Sequence, residues 1–131
     1  MEIIPFRSIG SINFGDSKHV ARQRFHSVPT EFQKDVDEES TDAYDDYGLH
    51  LYYDCHQRVE FVEAFSPADP IFRNVKFIGR KLNEVVSDLS RLGFSSESSE
   101  MGCMMPEAGL GVIAPTGIVE GVSVFREGYF D

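Results

Sequence analysis

Two stretches of this 131-residue chain are versions of one another, and that self-similarity limits the architecture more than any other feature. Gly48-Leu49-His50-Leu51-Tyr52-Tyr53-Asp54 aligns with Gly109-Leu110-Gly111-Val112-Ile113-Ala114-Pro115. With one residue dropped in the turn, residues 58–65 align with residues 118–125. Six positions are identical: Gly48/Gly109, Leu49/Leu110, Val59/Val119, Glu60/Glu120, Val62/Val122 and Phe65/Phe125. Each copy reads as a hairpin of β-branched and aromatic residues. The strands fall at 49–53 and 58–65 in the first, and at 110–114 and 118–125 in the second. A possible third strand precedes each hairpin, at 41–44 and at 102–105. The apolar positions shared by both copies, Val59, Val62 and Phe65, are spaced by three, which strict alternation forbids. Either a bulge near Glu60 and Phe61 shifts the register or both faces are partly covered, and Glu60 and Glu120 are read as supporting a bulge or pairing with a basic group.

A helix is expected ahead of each meander. Leu82, Val85, Val86, Leu89 and Leu92 form one stripe at helical spacing, with Lys81, Glu84, Asp88 and Arg91 opposite and Gly93 as a C-terminal stop. Ala21, Phe25 and Val28 give a weaker stripe, capped by Asp16 or Ser17 and ended by Pro29. The predicted fold class is α+β: two tandem helix-plus-antiparallel-meander units with the helices packed on one side of the sheet or sheets. Residues 1–66 are repeat one, 71–131 repeat two, and the proline-flanked segment 66–70 their junction, within a single compact domain.

Charge is concentrated in the first half. The net charge is −10, and residues 31–63 carry eleven acids against Lys34 and Arg58. Such a field repels nucleic-acid phosphates and anionic lipid and attracts basic proteins. No apolar run approaches the ~20 residues of a membrane helix. Met1-Glu2-Ile3-Ile4-Pro5 has no basic or apolar leader region, and the two cysteines are no disulfide framework. A cytoplasmic protein without nucleic-acid or membrane partners is expected.

Catalytic and metal motifs are weak. Asp35, Asp37, Glu39 and Asp46 echo a calcium loop, but Ser40 stands where glycine is required and Asp46 where a bidentate glutamate is required. Cys55-His56 and Cys103 fit no zinc spacing. His19, His26, His50 and His56 sit in no nucleophile or phosphate-loop context. No enzyme activity, metal or cofactor is expected. Recognition is the better fit: tyrosines interleave with acids over residues 42–54, and tyrosine brings contact area with a polar tip. The candidate protein-binding residues are Asp42, Tyr44, Asp45, Asp46, Tyr47, Tyr52 and Asp54, although two of the four tyrosines in this stretch could instead pack beneath the first helix.

Phe14-Gly15 entering a capped helix, the Gly48-Leu49-His50-Leu51-Tyr52-Tyr53-Asp54 strand and the Arg58-Val59-Glu60-Phe61-Val62 strand also carry a resemblance. In organisation the chain resembles the tandem-repeat beta-lactamase-inhibitor-protein family, and small bacterial proteins of immunity or uncharacterised type. The resemblance spans most of the chain, lends no catalytic residue and implies a binder. The expected function is a non-catalytic acidic protein-interaction module, an immunity protein masking a basic toxin surface. The alternative is a small-ligand-binding or homodimeric module using the crevice between repeats.

Overall fold

The computed structural model describes residues 1–33 and 39–130. In chain order its strands are β1 (Ile3–Ile4), β2 (Ser8–Ile9), β3 (Ile12–Asn13), β4 (Thr30–Phe32), β5 (Thr41–Tyr44), β6 (Leu49–Tyr53), β7 (Val59–Phe65), β8 (Ile71–Phe72), β9 (Val75–Lys76), β10 (Glu97–Ser99), β11 (Gly102–Met105), β12 (Leu110–Ile113) and β13 (Gly121–Phe125). Two helices, α1 (Lys18–Arg22) and α2 (Leu82–Arg91), and a 3-10 turn at Pro106–Ala108 complete the set.

This corrects the expected α+β class. The chain's described residues are mostly β, 40% strand against 14% helix, and α2 is the one substantial helix among them. α2 has the predicted form: Val85 and Leu89 are buried. Gly93 at φ +93° lets its own N–H reach the Ser90 carbonyl and that of Phe94 reach the Leu89 carbonyl. The first stripe fails. α1 is five residues long, capped by the Ser17 hydroxyl accepting from the Val20 N–H. Phe25 leaves the helix to stack on Tyr44, with ring centroids 3.7 Å apart, and Val28 is 91% exposed. Pro29 holds Val28 out of the helical region, and an isolated turn this short has little propagation to sustain it.

Eight strands form one continuous antiparallel sheet in the order β10-β11-β12-β13-β7-β6-β5-β4. The halves meet along five residue pairs of β7 and β13, centred on Glu63 opposite Ser123, rather than across a cleft. Each half contains the same set of internal hydrogen bonds. The Gly15 N–H donates to the Val59 carbonyl at 2.9 Å and the Gly79 N–H to that of Val119 at 2.8 Å. Likewise the Val59 N–H reaches Asp16 and the Val119 N–H reaches Arg80, while Lys18 pairs with Gln57 and Leu82 with Gly117.

The register sorts the side chains into two faces. Leu49, Ala64, Val122, Val112 and Cys103 form one row, and Leu51, Val62, Val124, Leu110 and Met105 another. All ten are buried on the face that joins α1, α2 and the short ribbons in a single core. Between Tyr52/Phe61 and Tyr53/Val59 the register slips, leaving Glu60 as the extra residue of a bulge. That slip returns Val59 to the core face and accounts for its spacing of three from Val62, whereas Phe65 stands on the opposite face.

Gly48 closes the β5–β6 turn at φ +69°, and a Cβ there would lie 2.1 Å from the Phe65 carbonyl oxygen. The obstacle is backbone held in the sheet, so it cannot swing aside. Gly48→Ala is expected to cost about 2 kcal/mol, read as a lower urea midpoint at unchanged m-value.

Candidate functional site

Among the described residues, no helix lies over the opposite face of the sheet. Alternation along β6 and β7 projects His50, Tyr52, Phe61, Glu63 and Phe65 onto it, and β13 adds Ser123 and Phe125. The C-terminal turn brings Tyr129 back over Phe61, with centroids 5.0 Å apart. Tyr52 meets Phe61 edge-on at 5.3 Å, and Phe61 lies nearly parallel to Phe125 at 6.4 Å. Most of these rings are only half-buried.

Between them runs a groove of about 600 Å³, lined by Tyr52, Tyr53, Phe61 and Tyr129 together with Glu39, Asp54, Glu60, Glu63 and Arg126. Among the described residues, four carboxylates thus face one guanidinium. Arg126 is spoken for: its Nη2 lies 3.2 Å from Glu60 Oε2, and its Nη1 donates to the Glu127 carbonyl at 2.9 Å. Glu39 is 3.8 Å from Lys18 Nζ. Asp54 Oδ1 accepts from the His56 and Arg58 N–H groups and so also builds the β6–β7 turn. Glu63 sits mid-sheet. Its Oε1 accepts a very short hydrogen bond from the Tyr52 hydroxyl and lies 3.9 Å from His50 Nδ1. Burial, then this bond to Glu63, pushes the Tyr52 hydroxyl well above its ordinary value. His50 Nε2 is 3.4 Å from Asp45 Oδ1, and its ring stands between Phe32 and Phe65.

The seven residues chosen from sequence divide between the faces. Tyr52 and Asp54 line the groove, and Asp45 adjoins it through His50. Asp46 is exposed in the turn. Tyr47 is half-buried against Phe25 and Tyr44, its hydroxyl accepting from the His26 N–H. Asp42 and Tyr44 are buried, 0% and 2% exposed, on the covered face. There Arg22 clamps Asp42 through both oxygens, at 2.9 and 2.8 Å, and reaches Glu31 at 2.6 Å. The Tyr53 hydroxyl donates to Asp42 Oδ2 at 2.6 Å, and Lys18 lies over the Tyr53 ring. This cluster is an internal tie. Glu31 and Asp42 are directly opposed across β4 and β5, and Arg22 neutralises a pairing that would otherwise repel.

Sequence reasoning did not select Phe61, Glu63, Arg126 or Tyr129. Glu63 and Phe61 could have been placed beside Tyr52 by carrying the face alternation through a bulge fixed at Glu60. Nothing local marks Tyr129, which arrives through the fold of the C-terminal turn.

The row His50, Glu63, Ser123 puts the acid in the middle. Imidazole and hydroxyl are therefore two strand spacings apart, roughly 10 Å, and no base stands against a nucleophile in it. No group of three or more metal-binding side chains gathers among the described residues. Asp35 and Asp37 of the calcium-like window lie outside the described residues. None of the described helices is long and apolar enough to cross a membrane. No family model, curated protein or solved structure matches the chain, and the geometry alone carries the functional reading.

Proposed function

We propose that this protein is a non-catalytic acidic recognition module that docks a basic protein partner on the open face of its sheet, occluding the partner's surface as an immunity protein does a toxin's. One observation carries the reading: the uncovered face presents half-buried aromatic rings around a groove lined by four carboxylates and one guanidinium. Aromatic area at the centre supplies affinity once water is expelled. The surrounding acids steer a positively charged surface and reject a negative one. Compared with residues 42–54 alone, the surface moves toward mid-sheet, because Asp42 and Tyr44 are turned inward.

A titration with a capped basic decapeptide, followed by backbone NMR, tests this. Shift changes are expected to gather at Tyr52, Phe61, Glu63, Ser123 and Tyr129 and to weaken as salt rises. An acidic decapeptide is expected to produce none. Changes centred on α2, or equal responses to both peptides, would overturn the assignment of the face.

A further inference from the structure

We propose that His50 is a proton gate on the docking face. With one proton on its ring it leaves the face open to a basic partner; with two it holds Asp45 and Glu63 to itself and turns that partner away. This inference rests on the docking reading and adds its regulation. Three observations carry it. The His50 ring stands on the open face beside the groove, with 27% of the side chain exposed. Both ring nitrogens meet a carboxylate: Nε2 lies 3.4 Å from Asp45 Oδ1, and Nδ1 lies 3.9 Å from Glu63 Oε1. Phe32 and Phe65 stand edge-on to the ring, with centroids at 5.9 and 5.7 Å, so its plane is held and the nitrogens keep those two directions.

A neutral imidazole carries one N–H and one lone pair, so it can donate toward only one of these two acids, and the other then faces a lone pair. An imidazolium donates toward both. Imidazole is also the side chain whose charge changes between about pH 5 and pH 8. The groups around the ring supply no competing cation among the described residues. Asp45 comes from the β5–β6 turn, Glu63 and Phe65 from β7, and Phe32 from β4. Tyr52, on β6 itself, donates its hydroxyl to Glu63. Lysines and arginines among the described residues pair with Glu31, Glu39, Asp42, Glu60 and Asp88, and with neither Asp45 nor Glu63. A second proton on His50 is therefore the change that offsets the negative charge at this end of the face. Linkage gives the sign: a basic partner that prefers the singly protonated face expels the second proton, and its affinity falls as pH falls.

The probe is a capped decapeptide of lysine and glycine, without histidine, titrated into the full chain by calorimetry. Its affinity is expected to be about fivefold lower near pH 5.5 than near pH 7.5. H50Q keeps a polar side chain that takes up no proton, and it is expected to bind the peptide equally at both values. H56Q removes the exposed imidazole of the β6–β7 turn and is expected to keep the wild-type fall. Ring nitrogen shifts of His50 in the wild type give a reading that needs no variant. The free chain is expected to carry the second proton at the lower pH and to lose it as peptide is added. If the peptide binds but with equal affinity at both values, or H50Q shows the same fall, or the ring stays neutral throughout, the gate is wrong while docking on this face stands. If the peptide binds at neither value, both readings fall.

Discussion

Arg22→Met should lower the stability of the folded chain by about 3 kcal/mol, the lower end of the range for breaking a buried ion pair because Arg22 keeps about a third of its exposure. The loss comes from Asp42 rather than from Arg22. Asp42 is fully buried and would keep only the Tyr53 hydroxyl as partner. Methionine is similar in length and helix propensity, so α1 itself is barely disturbed. The opposed acids Glu31 and Asp42 would also face each other without a cation, weakening the edge strand β4. Urea denaturation is expected to show a lower midpoint, and hydrogen exchange at Thr30–Phe32 should accelerate most. Adding Asp42→Asn should restore much of the loss, since a neutral amide can still accept from Tyr53 and no longer needs a counter-charge. A double variant no more stable than Arg22→Met would place the cost elsewhere, in lost packing of the arginine stem.

What could be read from the sequence follows from how local each signal is. Residues 49–53, 41–44 and 102–105 show their strand character in their own composition, and they are strands over those bounds. The stripe of α2 is carried by five residues on one turn-by-turn repeat, and it needs no partner to be recognised. The Ala21–Phe25 spacing looked equally local but was not: Phe25 is apolar because it stacks on Tyr44, nineteen residues away, and a helical spacing there is accidental. The short ribbons β1–β3 and β8–β9 have two-residue strands, too brief to show any period. The site was half visible for a similar reason. Tyrosines and acids in 42–54 announce polar aromatic surface, but alternation sends Asp42 and Tyr44 inward and Tyr52 outward, and only the position of the bulge at Glu60 tells which residues of β7 stand beside Tyr52. The continuity of the two half-sheets depends on β7 pairing with β13 over some sixty residues of separation, which no local pattern encodes.

Alkaline pH should unfold this protein steeply, and buried tyrosines are the cause, two of them in the same cluster. Burial first, and then the nearby Asp42 charge, push the Tyr44 hydroxyl up to about 12 from an ordinary value of 10.0. Burial, reinforced by the bond to Asp42, pushes Tyr53 up further still. Both stay protonated in the folded chain where the unfolded chain would ionise. Below pH 10 the two states hold the same protons and these groups add no pH dependence. Above it the unfolded state binds fewer protons, so stability falls as pH rises, by up to roughly 1.4 kcal/mol per pH unit for each tyrosine. Thermal melts between pH 8 and pH 11.5 should therefore fall gently at first, with the Cys103 thiol that burial also pushes up, and then drop with the added slope of three tyrosines, Tyr44, Tyr53 and the Tyr52 of the open face, about 4 kcal/mol per unit. Phenylalanine at each position separates the contributions. Tyr44→Phe removes a buried hydroxyl with no partner among the described residues, so it should leave neutral-pH stability unchanged or slightly higher while taking up to about 1.4 kcal/mol per unit from the alkaline slope. Tyr53→Phe lowers the slope by the same amount, but at neutral pH it should cost about 2 kcal/mol, because it takes from Asp42 a charge-assisted donor. Equal neutral-pH effects of the two variants, or an alkaline slope that neither changes, would show that the buried tyrosines are not what couples folding to pH.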